Sequence, residues 1–222
     1  MPQEGGSLAI LFPRWTNKIP AMIAGGVLVL GPLLVGAVNY YFSPEYTDVG
    51  YAPEQPVPFS HKIHAGELGM DCRYCHNTVE AAAHAAVPPA GTCMNCHGVI
   101  DAELDILAPV RDSYNEDKPI EWVRIHMLPD YAYFNHDVHL AAGVGCTSCH
   151  GRIDQMEVVY QDQPLSMGWC LDCHRNPEPH LRPLDEITNM AYDPVEAGYI
   201  AAEDPERTRE LHPPEHCSGC HR

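Results

Sequence analysis

All ten cysteines of this 222-residue chain lie in Cys-x-x-Cys-His motifs. The five copies are Cys72/Cys75/His76, Cys93/Cys96/His97, Cys146/Cys149/His150, Cys170/Cys173/His174 and Cys217/Cys220/His221. In c-type cytochromes the two thiols of such a motif bond to the haem vinyl groups, and the adjacent His ligates the iron on its proximal side. The pattern therefore predicts five haems c, each with its iron, as cofactors.

Other uses of paired cysteines fit this pattern less well. Disulfides occur in exported proteins rich in cysteine, but they do not require a His after every pair. Structural zinc sites take four ligands per metal, and an odd number of pairs, each with its own His, does not divide into such sites. A thioredoxin-like redox motif would normally occur once.

Two further histidines precede the first and the third motif, and their arrangement is repeated. The repeated pattern is Phe-x-His-x-x-His, with the copies Phe59/His61/His64 and Phe134/His136/His139. Residues three apart on a helical turn lie on nearby faces but diverge in direction. One His can therefore serve its own haem while the other reaches a neighbouring haem. Because neutral imidazole is a good iron ligand, these four histidines are predicted distal ligands.

The remaining candidates for a distal iron position are fewer and weaker. His126, in the mostly apolar stretch EWVRIH, is the next predicted ligand. Methionine is the other side chain that ligates haem iron in this way, which makes Met156 and Met167 candidates, and His84 is a further one. His180, His212 and His216 lie among prolines and acids, as solvated histidines often do.

The motifs divide the chain into a pair, a second pair and a single haem. Residues 58–97 hold the first pair, residues 133–174 the second, and residues 213–222 the terminal haem. Internal repetition on this scale indicates one structural unit used twice. Residues 43–57 are rich in proline and turn formers and are expected to be a tether, so that the haem domain covers residues 58–222.

An uncharged apolar segment precedes the tether. Residues 19–42 read IPAMIAGGVLVLGPLLVGAVNYYF, which as a helix would rise about 36 Å and span a bilayer. Arg14 and Lys18 precede it, so residues 1–18 are expected in the cytoplasm. Residues 43–222 would then lie in the periplasm of a bacterium, beside its inner membrane. A cleaved signal peptide is the alternative, but the segment is long and ends in aromatic residues instead of a small-residue cleavage site.

Charge and composition restrict the function further. The net charge is −17, and 29 acidic against 11 basic residues follow the apolar segment. Binding of nucleic acid is thereby excluded. The acidic surface either serves solubility or steers a basic redox partner. Glycines in the apolar segment would allow close approach of partner membrane helices.

The predicted fold is mainly α with little regular secondary structure: a multihaem c-type cytochrome domain plus one N-terminal transmembrane helix. The chain has 21 Pro and 17 Gly, which interrupt helices. Short helices are expected at each motif, a longer one across residues 99–110, and a short strand at EWVRIH. Residues 181–212 are expected to be an extended excursion on the surface.

With these motifs in place, a resemblance can be stated. The Phe-x-His-x-x-His modules with paired motifs resemble class III multihaem cytochromes over about residues 58–180. The whole arrangement is similar to the membrane-anchored pentahaem subunit of alternative complex III, through the single helix, "HMLPDYAYFNHDVH", "SMGWCLDCHR" and the terminal "CSGCHR".

That resemblance implies an electron-transfer subunit of a respiratory quinol oxidoreductase complex. Its implied partners are integral membrane quinol-binding subunits, an iron–sulfur subunit, and a monohaem cytochrome or another periplasmic electron acceptor. In that family most haems have two His ligands. The chain would relay electrons and would hold no substrate site or catalytic side chain of its own.

Two other functions stay open at this stage. The chain could be a stand-alone, membrane-anchored quinol dehydrogenase feeding a periplasmic reductase, which requires a quinol pocket beside a weakly ligated haem. It could also be a multihaem reductase of small molecules, which requires a vacant distal position. The ample supply of histidines argues against both.

Overall fold

The computed structural model describes residues 12–205 and 211–221. Residues 1–11 of the expected cytoplasmic segment, residues 206–210 of the expected surface excursion and residue 222 of the last haem segment lie outside it. The chain divides into two compact units, Met1–Thr47 and Asp48–Arg222.

The first unit is built around one long apolar helix. A 3₁₀ turn at Arg14–Lys18 leads into α1, Ile19–Tyr41, and a short α2 follows at Pro44–Thr47. Pro20 stands in the first turn of α1, where a missing amide hydrogen has no consequence, while Pro32 lies inside the helix. The span Arg14–Tyr41 is long and apolar enough to cross a membrane. The structure thus confirms one N-terminal helix that could be a transmembrane span.

Aromatic side chains gather where α1 ends. The rings of Tyr41 and Tyr46 have their centroids 4.8 Å apart, and Tyr40 lies 5.8 Å from Tyr46. Tyr41 also contacts Phe42, at 5.2 Å and nearly perpendicular planes. Rings with a polar tip suit a membrane–water boundary, as the sequence predicts for this position.

The second unit consists of short helices joined by long irregular segments. The helices are α3 Cys72–Cys75, α4 Ala90–His97, α5 Ala108–Glu116, α6 His136–Ala141, α7 Thr147–His150, α8 Met167–Arg175 and α9 Cys217–Cys220. A π-helical turn occupies Lys62–Glu67, and 3₁₀ turns lie at Asp105–Leu107, Ile153–Gln155, Glu178–His180, Leu184–Glu186 and Ala201–Glu203. Within residues 12–205 and 211–221 there is no β-strand, only two isolated bridges. The expectation of a mainly α fold with little regular structure is confirmed.

Two local expectations are wrong. Residues 99–103 form turns, and the helix expected across 99–110 begins only at Ala108 as α5. Pro109 in its first turn favours a helix start there, which the apolar spacing upstream does not reveal. The segment EWVRIH is irregular, and the described part of the chain offers no strand for it to pair with.

The expected surface excursion at 181–212 is also wrong for its first half. Leu181 is 1% exposed and Arg182 is 2% exposed, and Ile187 and Met190 are buried as well. The amide of Arg182 donates to the carbonyl of Gly143 at 2.9 Å. Acidic and proline residues predict solvation on average, but the few apolar side chains between them pack inward and pull the segment onto the domain.

The side-chain core is small. Val57, Ala90 and Val110 form one buried cluster, with Leu107 and Trp122 partly buried against it, and this cluster joins α4 to α5. The other buried apolar side chains of the described residues are Leu140, Met156, Leu181, Ile187, Met190 and Ala201.

Candidate haem-binding sites

The five motifs define five sites, which we number in chain order by their proximal histidines: site 1 His76, site 2 His97, site 3 His150, site 4 His174 and site 5 His221. Each motif coincides with a short helix, α3, α4, α7, α8 or α9. On a helix, residues three apart are neighbours on one face. Both thiols of a motif are thus presented together, and the ten cysteines form no disulfide with one another.

Side-chain caps mark the start of two of these helices, α3 and α8. Asp71 precedes α3 and its carboxylate accepts a hydrogen bond from the amide of Arg73 at 2.8 Å. Ser166 precedes α8 and its hydroxyl accepts from the amide of Trp169 at 3.2 Å. Such caps satisfy amides that a helix leaves unpaired at its first turn.

Four pairs of histidine rings face each other at nearly the same separation. The centroid distances are 6.4 Å for His61–His76, 6.1 Å for His64–His97, 6.4 Å for His136–His150 and 6.2 Å for His139–His174. Each pair joins one motif histidine to one histidine of a Phe-x-His-x-x-His pattern. The fold brings all four upstream histidines to proximal histidines of the first four sites.

This separation suits a metal held between two imidazoles. An imidazole nitrogen lies about 2 Å from its metal, so two such bonds in line separate the ring centroids by about 6.3 Å. Rings in direct van der Waals stacking would be closer, as the 4.3 Å between Phe59 and His64 shows. The residues therefore fit a haem iron with two axial histidines at each of these four sites.

The four pairs fall into two classes by ring orientation. The planes differ by 1° in His61–His76 and by 8° in His136–His150, so these rings are parallel. They differ by 61° in His64–His97 and by 41° in His139–His174. Sites 1 and 3 thus share one geometry, and sites 2 and 4 the other, as expected of a repeated unit.

Most of the paired rings are tied at Nδ1, which leaves Nε2 for a metal. Three proximal histidines donate from Nδ1 to backbone carbonyls: His76 to Ala86 (2.7 Å), His97 to Ile100 (3.1 Å) and His174 to Pro214 (2.7 Å). Three distal histidines do the same: His64 donates to the carbonyl of Ser60 (2.8 Å), His136 to that of Ala83 (2.9 Å) and His139 to that of Asn135 (2.7 Å). Hydrogen bonds of this kind fix the tautomer and orientation of metal-binding histidines.

Two rings depart from that rule. Nδ1 of His61 is buried and has no hydrogen-bond partner within the described part of the chain. Nδ1 of His150 lies 3.3 Å from Nε2 of His126. Its partner is therefore a side chain, whereas His76, His97 and His174 have a backbone carbonyl at this place. The rings of His126 and His150 are 4.4 Å apart and nearly perpendicular.

A phenylalanine holds each pair of upstream histidines. Phe59 lies edge-on to His61 at 4.9 Å and stacks on His64 at 4.3 Å. Phe134 repeats this with His136 at 4.8 Å and His139 at 4.5 Å. The repeat of the Phe is visible in the sequence, but its role as a spacer between two imidazoles is not.

Burial keeps the central imidazoles neutral. Burial, with the neighbouring His126 and His136, lowers the pKa of His150 to about 3. Burial, with His76 and His64 nearby, lowers the pKa of His61 to about 4. Burial also lowers the pKa of His139. Because iron binds the neutral ring, these histidines are ready for a metal at pH 7.

Site 5 is built differently. The ring of His221 lies against Tyr131, with centroids 5.7 Å apart and planes 40° apart. The backbone of His221 bridges to Ala132, and the amide of Tyr133 donates to the carbonyl of Cys220 at 2.7 Å. The segment just before Phe134 therefore anchors the last motif.

The other predicted distal ligands are spread over the domain. His126 lies beside His150, as described above. Met156 is buried, and its carbonyl accepts from the amide of Lys62 at 3.1 Å. Met167 is exposed at the start of α8, and His84 is exposed in the loop after α3. The prediction that one of these serves an iron stays a prediction.

A buried arginine next to site 3 was missed at the sequence level. The guanidinium of Arg182 donates to Thr147 Oγ1 at 2.7 Å and to the carbonyl of Asn189 at 3.0 Å, and it packs on Gly145, the residue before Cys146. The amide of Cys146 donates to the carbonyl of Ile187 at 3.3 Å. No local sequence signal marks this contact, because its partners are about 35 residues apart.

Comparison with known proteins agrees with this geometry. Residues 132–222 match the family model described as cytochrome c7 and related cytochrome c. A protein of Nitratidesulfovibrio vulgaris, described as the multiheme cytochrome c subunit of menaquinone reductase, is 28% identical over 149 residues. The aligned part covers 58% of this chain and 70% of the relative.

These similarities and the motif geometry lead to the same assignment. The chain is homologous to the multiheme cytochrome c subunit of a menaquinone reductase, and the helices of its second unit lie at the Cys-x-x-Cys-His motifs and between them. Residues 132–222 are thus similar to cytochrome c7, and the chain as a whole resembles multihaem c-type cytochromes, which transfer electrons.

Proposed function

We propose that the chain binds five haems c and relays electrons within a membrane quinol oxidoreductase complex. The observation that carries the proposal is the set of four histidine pairs, each about 6 Å apart and each including one motif histidine. The distal ligands would be His61 at site 1, His64 at site 2, His136 at site 3 and His139 at site 4.

The polypeptide's part in this function is to hold and orient. Haem supplies reversible one-electron chemistry when bound. The thiols tether it, the paired imidazoles fix its orientation, and the Nδ1 hydrogen bonds keep the rings from turning. Phe59 and Phe134 separate the two imidazoles of each module, so that the two members serve different sites. No side chain needs to act as an acid, base or nucleophile.

The membrane context rests on α1 and its flanks. The helix is long and apolar enough to span, Arg14 and Lys18 lie at its N-terminal end, and covalent haem attachment takes place outside the cytoplasm. We therefore place the N-terminus in the cytoplasm and the haem domain in the periplasm. Gly25, Gly26, Gly31 and Gly36 have open space where a side chain would stand, as far as the described residues go, which suits close approach of partner membrane helices.

The complex we propose resembles alternative complex III. Integral membrane subunits would oxidise quinol, an iron–sulfur subunit would take part in the transfer, and a monohaem cytochrome or another periplasmic protein would accept the electrons. The relative's position in a multisubunit enzyme supports the presence of membrane partners. The sequence resemblance of the whole chain supports the quinol-oxidising type.

A second candidate is the opposite direction of electron flow. The relative's name is that of a reductase of menaquinone. In that case a periplasmic donor would reduce the sites, and the membrane subunits would reduce quinone. The same polypeptide geometry serves both directions, because ligands and spacing do not impose one.

Purification from membranes in mild detergent tests the proposal. We expect an intact mass that exceeds the polypeptide by five haems, and co-purification of integral membrane and iron–sulfur subunits. The matched control is Cys217→Ala/Cys220→Ala, which should lose one haem and keep four. A mass equal to the bare polypeptide would refute the haem assignment. A chain that is recovered alone and is active with quinol would support the stand-alone dehydrogenase.

Assays in both directions then separate the two candidates. The purified complex is given quinol with an oxidised soluble cytochrome c, and separately quinone with a reduced one. Faster quinol oxidation supports the alternative complex III type. Faster quinone reduction supports the second candidate and overturns the first.

A further inference from the structure

Contacts between motifs show which sites are neighbours. His61 and His64 stand on one turn and face the proximal histidines of sites 1 and 2, so these two sites adjoin. His136 and His139 connect sites 3 and 4 in the same way. These two junctions lie inside the repeated modules.

The junction between the modules involves sites 1 and 3. One short loop carries both the carbonyl of Ala86, which accepts from His76, and the carbonyl of Ala83, which accepts from His136. The segment 187–188 makes a second connection. Its Ile187 carbonyl accepts from the amide of Cys146, and its Thr188 hydroxyl donates to Asp71, next to Cys72.

The last junction joins sites 4 and 5. His174 donates to the carbonyl of Pro214 at 2.7 Å, and Arg175 forms an ion pair with Glu215 at 3.3 Å. Both partners stand just before the fifth motif. These contacts run from the end of α8 to the start of α9.

Exposure of the cysteines distinguishes the ends of this series from its middle. Cys96 of site 2 and Cys217 of site 5 are exposed, while the other eight cysteines are partly buried. Among the contacts between motifs in the described residues, site 2 adjoins site 1 alone and site 5 adjoins site 4 alone; the segment 131–133, which also holds the fifth motif, lies outside the motifs. The two sites with one neighbour are thus the two with an exposed attachment point.

We infer that the five sites form a single file in the order second, first, third, fourth, fifth, with sites 2 and 5 as the points where electrons enter and leave. The inference rests on the proposed relay function and goes beyond it. Each transfer between neighbours oxidises one site and reduces the next by one electron, with no bond made or broken. Quinol or its redox partners exchange electrons with one end site, and a periplasmic one-electron carrier exchanges them with the other.

Matched substitutions in the two modules test this order. His64→Met alters site 2 and His139→Met alters site 4, at the same position of the repeat. A Met ligand raises a haem's potential, so the altered site is already reduced, and carries one positive charge fewer, when its neighbours titrate. That change of charge shifts the potentials of the neighbours. We expect His64→Met to shift the midpoint potential of one other haem, site 1. His139→Met should shift two, sites 3 and 5.

The chain order gives a different result, so the outcomes are decisive. If the sites followed the sequence, sites 2 and 4 would each have two neighbours, and the two variants would each shift two haems. Shifts in two haems for His64→Met, or in none, overturn the inferred order. Electron paramagnetic resonance assigns the shifted haems, since sites 1 and 3 have parallel imidazoles and sites 2 and 4 do not.

Removal of an end site provides an independent measurement. Cys217→Ala/Cys220→Ala should shift the potential of one remaining haem, from the class with tilted rings. A shift of a parallel-ring haem would overturn the inference. These titrations use the purified haem-loaded chain without quinone, so they remain decisive if the partner complex proves to be of another kind.

Discussion

The two haem-pair modules, residues 58–97 and 133–174, share one internal geometry and differ in what holds them. Phe59 and Phe134 meet their two histidines at nearly equal distances and angles. The angles between paired rings also repeat, parallel at one site and tilted at the next. Within a module, the same pattern of residue types accompanies the same arrangement of rings.

The supporting contacts of the modules differ in range. In the first module, His76 and His97 donate to carbonyls ten and three residues ahead. In the second, His150 contacts His126, 24 residues away, and His174 donates to Pro214, 40 residues away. His136 reaches Ala83, 53 residues away, in the loop of the first module. The second module is therefore completed by the rest of the domain.

The difference teaches that one motif can be supported in two ways. A local hydrogen bond closes only a short loop of chain, so the proximal rings of the first module can be oriented early. Its upstream histidine segment is still tied to residues 156 and 157, through the amide of Lys62 and the hydroxyl of Ser60. The second module depends on contacts that exist only when the domain is folded. Substitutions in its supports should spread further, and four predictions examine this contrast.

The largest effect is expected from removing corresponding distal histidines. His61→Ala and His136→Ala should each abolish one parallel-ring, low-spin haem signal in electron paramagnetic resonance. His136→Ala should also reduce the free energy of unfolding by about 0.5–1.5 kcal/mol more, because it loses the ring hydrogen bond to the carbonyl of Ala83, whereas Nδ1 of His61 has no such bond to lose within the described residues. The exposed His84→Ala is the control. Equal loss of stability in both variants would remove the contrast between modules.

Gly145→Ala is expected to have the next largest effect. A Cβ at this position would collide with the guanidinium of Arg182, so we expect a loss of about 1–3 kcal/mol in chemical unfolding. The control is Gly91→Ala in α4, where a Cβ would lie 3.7 Å from the ring of Tyr114, an ordinary contact. That variant should be neutral or up to about 1 kcal/mol more stable. Equal effects would show that Arg182 is free to move aside.

A smaller effect is expected at His126. His126→Leu should raise the potential of one parallel-ring haem by about 20–65 mV, the equivalent of one hydrogen bond of about 0.5–1.5 kcal/mol. His126→Gln keeps a hydrogen-bond acceptor, so the potential in this variant should stay close to that of the unaltered protein. Loss of a low-spin signal in His126→Leu would instead identify His126 as a distal iron ligand.

The smallest effect concerns acid stability at the junction of the modules. Hydrogen bonds from Arg73 lower the pKa of Asp71 from 3.8 to about 2. Because the folded-state pKa is depressed, its stabilising effect is complete above about pH 4 and is lost as the pH falls towards 2. In Asp71→Asn, stability measured by thermal unfolding should decrease less between pH 4 and pH 2 than in the unaltered protein. The exposed Asp105→Asn should leave this decrease unchanged, and an equally small decrease there would refute the assignment.

Much of the candidate site could be predicted from residue types and spacing. The attachment motifs and the repeated histidines are local patterns, and so is the uncharged stretch that forms α1. The burial of Leu181 and Arg182 could not be predicted, because their partners near Cys146 are distant in sequence. The start of α5 and the absence of a strand at 121–126 also depended on neighbours that periodicity does not show.

The sequence by itself determined which thiols and imidazoles belong together in a motif, since the bonding of a c-type haem needs groups that are adjacent in the chain. It also determined that the distal candidates come in pairs three residues apart. Only the tertiary structure decided which imidazole faces which, and which modules touch through Ala83, Ala86 and Ile187. Those relations depend on contacts between chain segments many residues apart, which form only when the domain has folded.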